Sequence, residues 1–89
     1  MSTVLVTGAT SGLGTWLARR LTADGHTVLV HGRDPAKAKA LAADLGTEGY
    51  VADLASLADT RRLAAEVAAR GRLDVLVNNA GVALDRGMP

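Results

Sequence analysis

The sequence predicts an α/β protein: an open parallel sheet of four strands, in the order 3-2-1-4, joined by three crossover helices. Short Val/Leu runs alternate with longer stretches of helical periodicity, giving the rhythm β-α-β-α-β-α-β. Each connection is about a helix long, which suits a right-handed crossover between parallel strands and not a hairpin. The glycine-, asparagine- and aspartate-bearing breaks fall where the strands should end: Gly8 to Gly14, Gly32-Arg33, Asp53, and Asn78 to Gly81. In open α/β sheets ligands bind outside the carboxyl ends of the strands, at the point where strand order reverses, here between strands one and four.

Thr3 to Thr7 is a continuous Val/Leu run, as expected of a parallel strand buried on both faces. A helix is expected over Gly12 to Ala23. Leu13, Trp16, Leu17, Arg20 and Leu21 recur there at helical spacing, most of them facing the sheet. Asp24-Gly25-His26 ends it, with Gly25 just past the cap and His26 on the surface. Thr27 to His31 is strand two. Asp34 before Pro35 is an N-cap followed by a proline at the first helical position, opening an alanine-rich helix from Pro35 to Leu45 that Gly46 terminates. Glu48 to Asp53 reads as strand three. Ser56-Leu57-Ala58-Asp59 resembles a capping box with Asp in place of Glu. The helix it opens runs to about Arg70, with Leu57, Leu63, Ala64 and Val67 as its inner face, and Gly71 stops it. Leu73 to Val77 is strand four, and residues 82–89 show no clear element.

The 89 residues allow one small domain at most. Apolar residues make up 48% of the chain but aromatics only 2%, so the core must be Val, Leu and Ala. The net charge is +1 with no basic stripe, so nucleic acid is not an expected partner, and no apolar run approaches the length of a membrane span, so a membrane is not expected either. The lack of cysteine excludes disulfides, thiolate metal sites and a cysteine nucleophile. His26 and His31 lie on different elements and make no metal site. Met1-Ser2-Thr3 leads into strand one without a basic or long apolar leader, so the expected location is cytoplasmic.

The glycine stretch after strand one reads as a dinucleotide cradle, and the sheet as Rossmann-type. Gly8 permits a sharp turn out of the strand. Gly12 lets backbone approach a pyrophosphate, and Gly14 lets the helix lie close on the strand. The unpartnered N–H groups of the first helical turn, at the positive end of the helix dipole, form an anion site without a charged side chain. The spacing is G-x-x-x-G-x-G and not the common G-x-G-x-x-G, so the assignment also leans on the other strand ends.

Thr7-Gly8-Ala9-Thr10-Ser11-Gly12-Leu13-Gly14, Asp53-Leu54 and Asn78-Asn79-Ala80-Gly81 resemble, in order and spacing, the N-terminal half of the classical short-chain dehydrogenase/reductase family, over residues 3–82. The resemblance implies an oxidoreductase transferring hydride between a nicotinamide cofactor and a carbonyl or alcohol. It implies that the loop Gly8, Thr10, Ser11, Gly12, Leu13 and Gly14 holds the pyrophosphate and adenosine ribose. Asp53 would hydrogen-bond the adenine amino group, with the backbone of Leu54 beside it. Asn79, Ala80 and Gly81 would line the ribose side, and Asn78 would tie the strand end. Taken alone, Asp53 reads equally as a strand-end turn residue and Asn78-Asn79 as a turn pair. In family members that prefer NAD, an acid stands where this chain has Gly32. Here Arg33 follows, and an arginine can fork onto a 2′-phosphate with contacts of about 1.5–3 kcal/mol each. NADP is therefore expected over NAD. His31 reads as a plain strand-end histidine that would assist only if it faced the pocket. Many NADP-preferring relatives carry a second basic residue in the glycine loop, where this chain has Ser11.

The family's chemistry needs a tyrosine with a lysine four residues later, plus a serine and an asparagine. This chain has one tyrosine, Tyr50, followed four residues on by Leu54, and lysines only at Lys37 and Lys39. The expectation is a partial dinucleotide-binding domain over residues 1–89, truncated after strand four and without catalytic residues of its own. Two alternatives stand beside it: a non-catalytic nucleotide-binding module, and an inert structural fragment. The free edge of strand four and the uncovered sheet faces are expected to make the chain a homo-oligomer.

Overall fold

In the computed structural model, which describes residues 1–79, strands β1 (Thr3–Val6), β2 (Thr27–Gly32), β3 (Gly49–Val51) and β4 (Val75–Val77) form one parallel sheet in the order β3-β2-β1-β4. Helices α1 (Gly12–Ala23), α2 (Pro35–Leu45) and α3 (Leu57–Arg70) make the three crossovers. Val4 of β1 is flanked by Val28 of β2 and Val75 of β4, and His31 of β2 pairs with Tyr50 of β3. The start of β4 is set by a reciprocal clamp. The Asp74 N–H donates to the Thr3 carbonyl at 2.9 Å, and the Thr3 N–H donates to the Asp74 carboxylate at 2.8 Å.

Alternation along the strands sends successive side chains to opposite faces. Val4, Val6, Val28 and Val30 pack with Ala18 of α1 and with Leu41 and Ala42 of α2. Leu5 and Leu29 pack with Ala52 and with Leu63 and Val67 of α3. Two helices therefore cover one face of the sheet and one covers the other.

The helix boundaries are local chemistry. Asp34 accepts from the N–H groups of Ala36 and Lys37 at 2.9 and 3.4 Å, with Pro35 opening α2. Gly46 closes α2 in the left-handed region, at φ 65°. Ser56 accepts from the Asp59 N–H at 3.2 Å, which is half of the expected capping box. The return bond is not made. The Asp59 carboxylate, one methylene shorter than glutamate, accepts instead from the Asp53 N–H at 2.9 Å.

Four expectations need correction. The inner face of α1 is Gly14, Ala18 and the half-buried Leu21, whereas Leu13 and Trp16 are 58% and 61% exposed. Small residues face the sheet because they let the helix approach closely, and the large ones fall outside. On α3 only Leu63 and Val67 are buried, while Leu57 and Ala64 are exposed, since one lone helix on that face presents a narrow seam. Strands β3 and β4 are shorter than their apolar runs, three residues each, and among the described residues each pairs on one side only. His26 is half-buried and accepts from the Ser2 N–H at 3.2 Å through Nδ1. Among the described residues no helix is long and apolar enough to cross a membrane.

Candidate cofactor site

Gly8 follows β1 at φ 62°, a conformation that a residue with a Cβ adopts only at a cost. Its N–H donates to His31 Nδ1 at 3.1 Å. Its carbonyl accepts from the Asn79 side-chain amide at 3.0 Å, from the Ser11 hydroxyl at 3.2 Å and from the Ser11 N–H at 3.5 Å. The Ala9 N–H donates to the His31 carbonyl at 2.8 Å, and the Ala9 carbonyl accepts from the Thr15 hydroxyl at 2.6 Å. The turn is thus held from the sheet side, leaving its outer side open.

The three glycines of the loop differ in what they do. A Cβ on Gly14 would strike the Gly8 carbonyl oxygen and stand 2.6 Å from the Asn79 amide nitrogen, so glycine there is required by packing. Among the described residues, a Cβ on Gly12 would meet no atom within 4 Å, and the Gly12 backbone is not left-handed. Nothing among the described residues demands glycine at that position. Its openness instead suits the close approach of a ligand to backbone.

Helix α1 begins without a cap. The Ser11 side chain makes no capping bond, no acid occupies the first turn, and the first helical bond runs from the Thr15 N–H to the Ser11 carbonyl at 2.9 Å. The N–H groups of Gly12, Leu13 and Gly14 have no acceptor among the described residues. In contrast, α2 and α3 are capped by Asp34 and Ser56. Three bare amides at a positive dipole end have the geometry and polarity that suit an anion.

At the end of β2, Gly32 is buried, and a Cβ there would lie 2.8 Å from the Thr10 methyl and 3.4 Å from Ala38 Cβ. Thr10 therefore covers the strand end where a carboxylate-bearing residue would otherwise project. Arg33 is exposed and has no ion-pair partner among the described residues, whereas Arg19, Arg20, Arg62, Arg70 and Arg72 each pair with a carboxylate. The nearby acid, Asp34, is engaged in capping α2.

At the end of β3, Asp53 Oδ1 accepts from the Ala55 N–H at 3.0 Å and the Asp53 carbonyl accepts from the Ser56 N–H at 2.9 Å. Asp53 is thus a turn residue, and its Oδ2 still has no partner among the described residues. The Leu54 N–H likewise has none, while the Leu54 side chain packs on the α3 side of the sheet. Beyond β4, Asn78 Oδ1 accepts from the Thr7 hydroxyl at 3.3 Å, tying the two strand ends together. Asn79 is 8% exposed and turned onto the Gly8 carbonyl. Ala80 and Gly81 lie outside the described residues. A cavity of about 510 Å³ beneath α2 against β3 shares no residue with this site.

Tyr50 takes no part in it. Its hydroxyl donates to Glu48 at 2.7 Å, and burial, reinforced by that bond, pushes its pKa up to about 12. One residue of the loop's support escapes sequence reasoning: His31 is 3% exposed and holds the turn through both its ring and its carbonyl. The signal was available in the alternation, which places residue 31 on the same buried face as Leu29, where a polar group needs partners.

The family model described as short chain dehydrogenase matches residues 2–88. The NADP-dependent 3-hydroxy acid dehydrogenase of Salmonella typhi is 44% identical over 84 residues, covering 91% of this chain and 34% of that protein. An actinorhodin polyketide ketoreductase solved with NADPH superposes with a TM-score of 0.77 at 39% identity, over 88% of this chain and 32% of that one. The RhlG protein of Pseudomonas aeruginosa, solved as an NADP active-site complex, gives a TM-score of 0.77 at 36% identity, over 88% of this chain and 34% of that one. The chain thus spans about a third of the length of the curated relatives it matches.

Proposed function

The chain belongs to the short chain dehydrogenase family, and from that premise we propose that it forms the NADP(H)-binding half of an oxidoreductase acting between a carbonyl and an alcohol. The observation that carries this reading is the uncapped start of α1, where the amides of Gly12, Leu13 and Gly14 stand open beside a position that has room for a ligand in place of a side chain. Those amides take the pyrophosphate, with Gly8 setting the turn and Thr10 and Ser11 flanking the adenosine ribose. Arg33 takes the 2′-phosphate over the small Gly32. Asp53 Oδ2 accepts from the adenine amino group beside the Leu54 N–H. Asn79, Ala80 and Gly81 belong to the ribose side.

When bound, the cofactor supplies or accepts hydride at its nicotinamide. The residues present here bind and orient the adenosine end. No Tyr-x-x-x-Lys occurs in the 89 residues, so they hold no proton-transferring pair of the family's kind. The relatives named above as NADP-dependent, or solved with NADP or NADPH, support the choice of cofactor. We further propose that the chain self-associates through β4, which among the described residues pairs only with β1 and leaves Val75 and Leu76 43% and 58% exposed.

Titration calorimetry with NADPH and NADH tests the binding reading. Heat with NADPH, and less or none with NADH, is the expected result. No heat with either overturns it in favour of an inert structural fragment.

A further inference from the structure

We propose that His31 is the positioning residue of the glycine turn: its imidazole, as the neutral tautomer protonated at Nε2, sets the Gly8 amide and joins that turn to the strand end carrying Asp53. The ring lies between two groups of fixed polarity. The Ala52 carbonyl, 2.9 Å from Nε2, can only accept, so Nε2 carries the proton. The Gly8 N–H, 3.1 Å from Nδ1, can only donate, so Nδ1 is bare. The other tautomer would set N–H against N–H at Gly8 and leave the Ala52 carbonyl facing a lone pair. The imidazolium would repeat the first of these conflicts.

Burial makes the arrangement binding. His31 is 3% exposed, so water does not stand in for a lost partner. The His31 carbonyl also accepts from the Ala9 N–H at 2.8 Å. One residue thereby aims two consecutive amides, and with them the peptide on which Gly14 of α1 rests. Through Ala52 the same ring reaches the residue before Asp53. The pyrophosphate side and the adenine side of the proposed site thus share one brace, although Gly8 and Ala52 are far apart in sequence.

No charged side chain among the described residues hydrogen-bonds the ring. Tyr50, its register partner on β3, is bonded to Glu48. On α3, Asp59 accepts from the Asp53 N–H, and Arg62 donates to the Val51 carbonyl and pairs with Glu66. On α1, Arg19 and Arg20 pair with Asp44 and Asp24. Just past β1, Thr7 is uncharged. A proton added at Nδ1 therefore meets the Gly8 N–H with no carboxylate bonded to the ring to receive it.

The test uses the whole chain, labelled with ¹⁵N, without cofactor. The ring nitrogens should report a proton on Nε2 and none on Nδ1, and the Gly8 amide should be protected from exchange. His31→Gln supplies a neutral donor and acceptor and should retain much of that protection, while His31→Leu should lose it. With NADPH as the probe, His31→Leu should weaken binding about tenfold and His31→Gln less. A ring protonated at Nδ1, or a Gly8 amide indifferent to both substitutions, overturns the proposal. Should His31→Leu fail to fold, the ring spectrum and His31→Gln still decide. The binding arm rests on the cofactor reading. If the parent chain does not take up NADPH, that reading fails while the spectroscopic arm still judges the brace.

Discussion

The side-chain amide of Asn79 donates to the carbonyl of Gly8 at 3.0 Å, linking the residue after β4 to the residue after β1. Gly14 lies directly against this pair. Gly14→Ala would drive a methyl into the Gly8 carbonyl and to 2.6 Å from the Asn79 nitrogen. It should destabilise the fold by about 1–3 kcal/mol, the usual cost of overpacking. Gly12→Ala meets no atom of the described residues and should leave stability unchanged or raise it by up to about 1 kcal/mol through helix propensity. The same change should weaken dinucleotide binding. Urea unfolding of both variants, with a binding titration of Gly12→Ala, checks the contrast; equal stability losses would contradict it.

Arg33 has no carboxylate partner in the described residues, so truncating it leaves no buried charge unpaired. Arg33→Ala should cost NADPH about tenfold in affinity, the loss of one charge-assisted bond, and should leave NADH binding unchanged. Parallel fluorescence titrations measure both. Equal losses for the two cofactors would remove Arg33 from 2′-phosphate recognition.

Tyr50 should release its proton near pH 12, well above the ordinary 10.0, because burial and the bond to Glu48 both disfavour the phenolate. Its contribution to stability is therefore complete below pH 10 and is lost as pH rises through about 12. Phenolate absorbance of native and urea-unfolded protein reads the difference. Glu48→Gln should bring the native value part of the way back.

Asp74 is held below its ordinary carboxylate range, first by the Thr3 N–H and then by the Arg72 guanidinium. A lowered folded value means that the charged form favours folding. The contribution is present above the ordinary range and disappears as pH falls through the lowered one. Asp74→Asn should therefore be less stable than the parent chain at neutral pH, with the gap closing in acid. Thermal melts from pH 7 downward follow it, and a gap that widened in acid would reverse the sign.

Self-association through β4 should appear as a concentration-dependent mass in light scattering. Leu76→Lys, which places a charge on the exposed residue of that edge, should shift the population to monomer. A monodisperse monomer of the parent chain at high concentration would end this proposal.

Much of the fold is legible in the sequence because its punctuation is local. Asp34-Pro35 and Gly46 frame α2, and Gly12 and Ala23 frame α1, through groups only a few residues apart. The strand order is legible for a different reason: the crossovers are too long for hairpins, and the motif-bearing ends must share one rim. The candidate site is legible where backbone sets its shape, as at Gly8, Gly12 and Gly14. Other features need the third dimension. His31 finds its two ring partners across other strand ends, so its residue type alone says nothing of its task. Trp16 and Leu13 fit the apolar stripe of α1, but Gly14 and Ala18 form the seam because a close helix leaves no room for larger groups. Asp59 forms half of a capping box, and its carboxylate is drawn off by an N–H six residues upstream.

The three open amides at the head of α1 also bear on how the chain melts. A diphosphate resting on them completes the hydrogen bonding of that helix, and the unfolded chain presents no such seat. On the proposed reading, mass action then raises the melting temperature with cofactor concentration, by the equivalent of about 2.7 kcal/mol at a hundredfold excess over Kd. In a chain of 89 residues, where total stability is on the order of 5–15 kcal/mol, occupancy of one turn becomes a governor of lifetime on that reading.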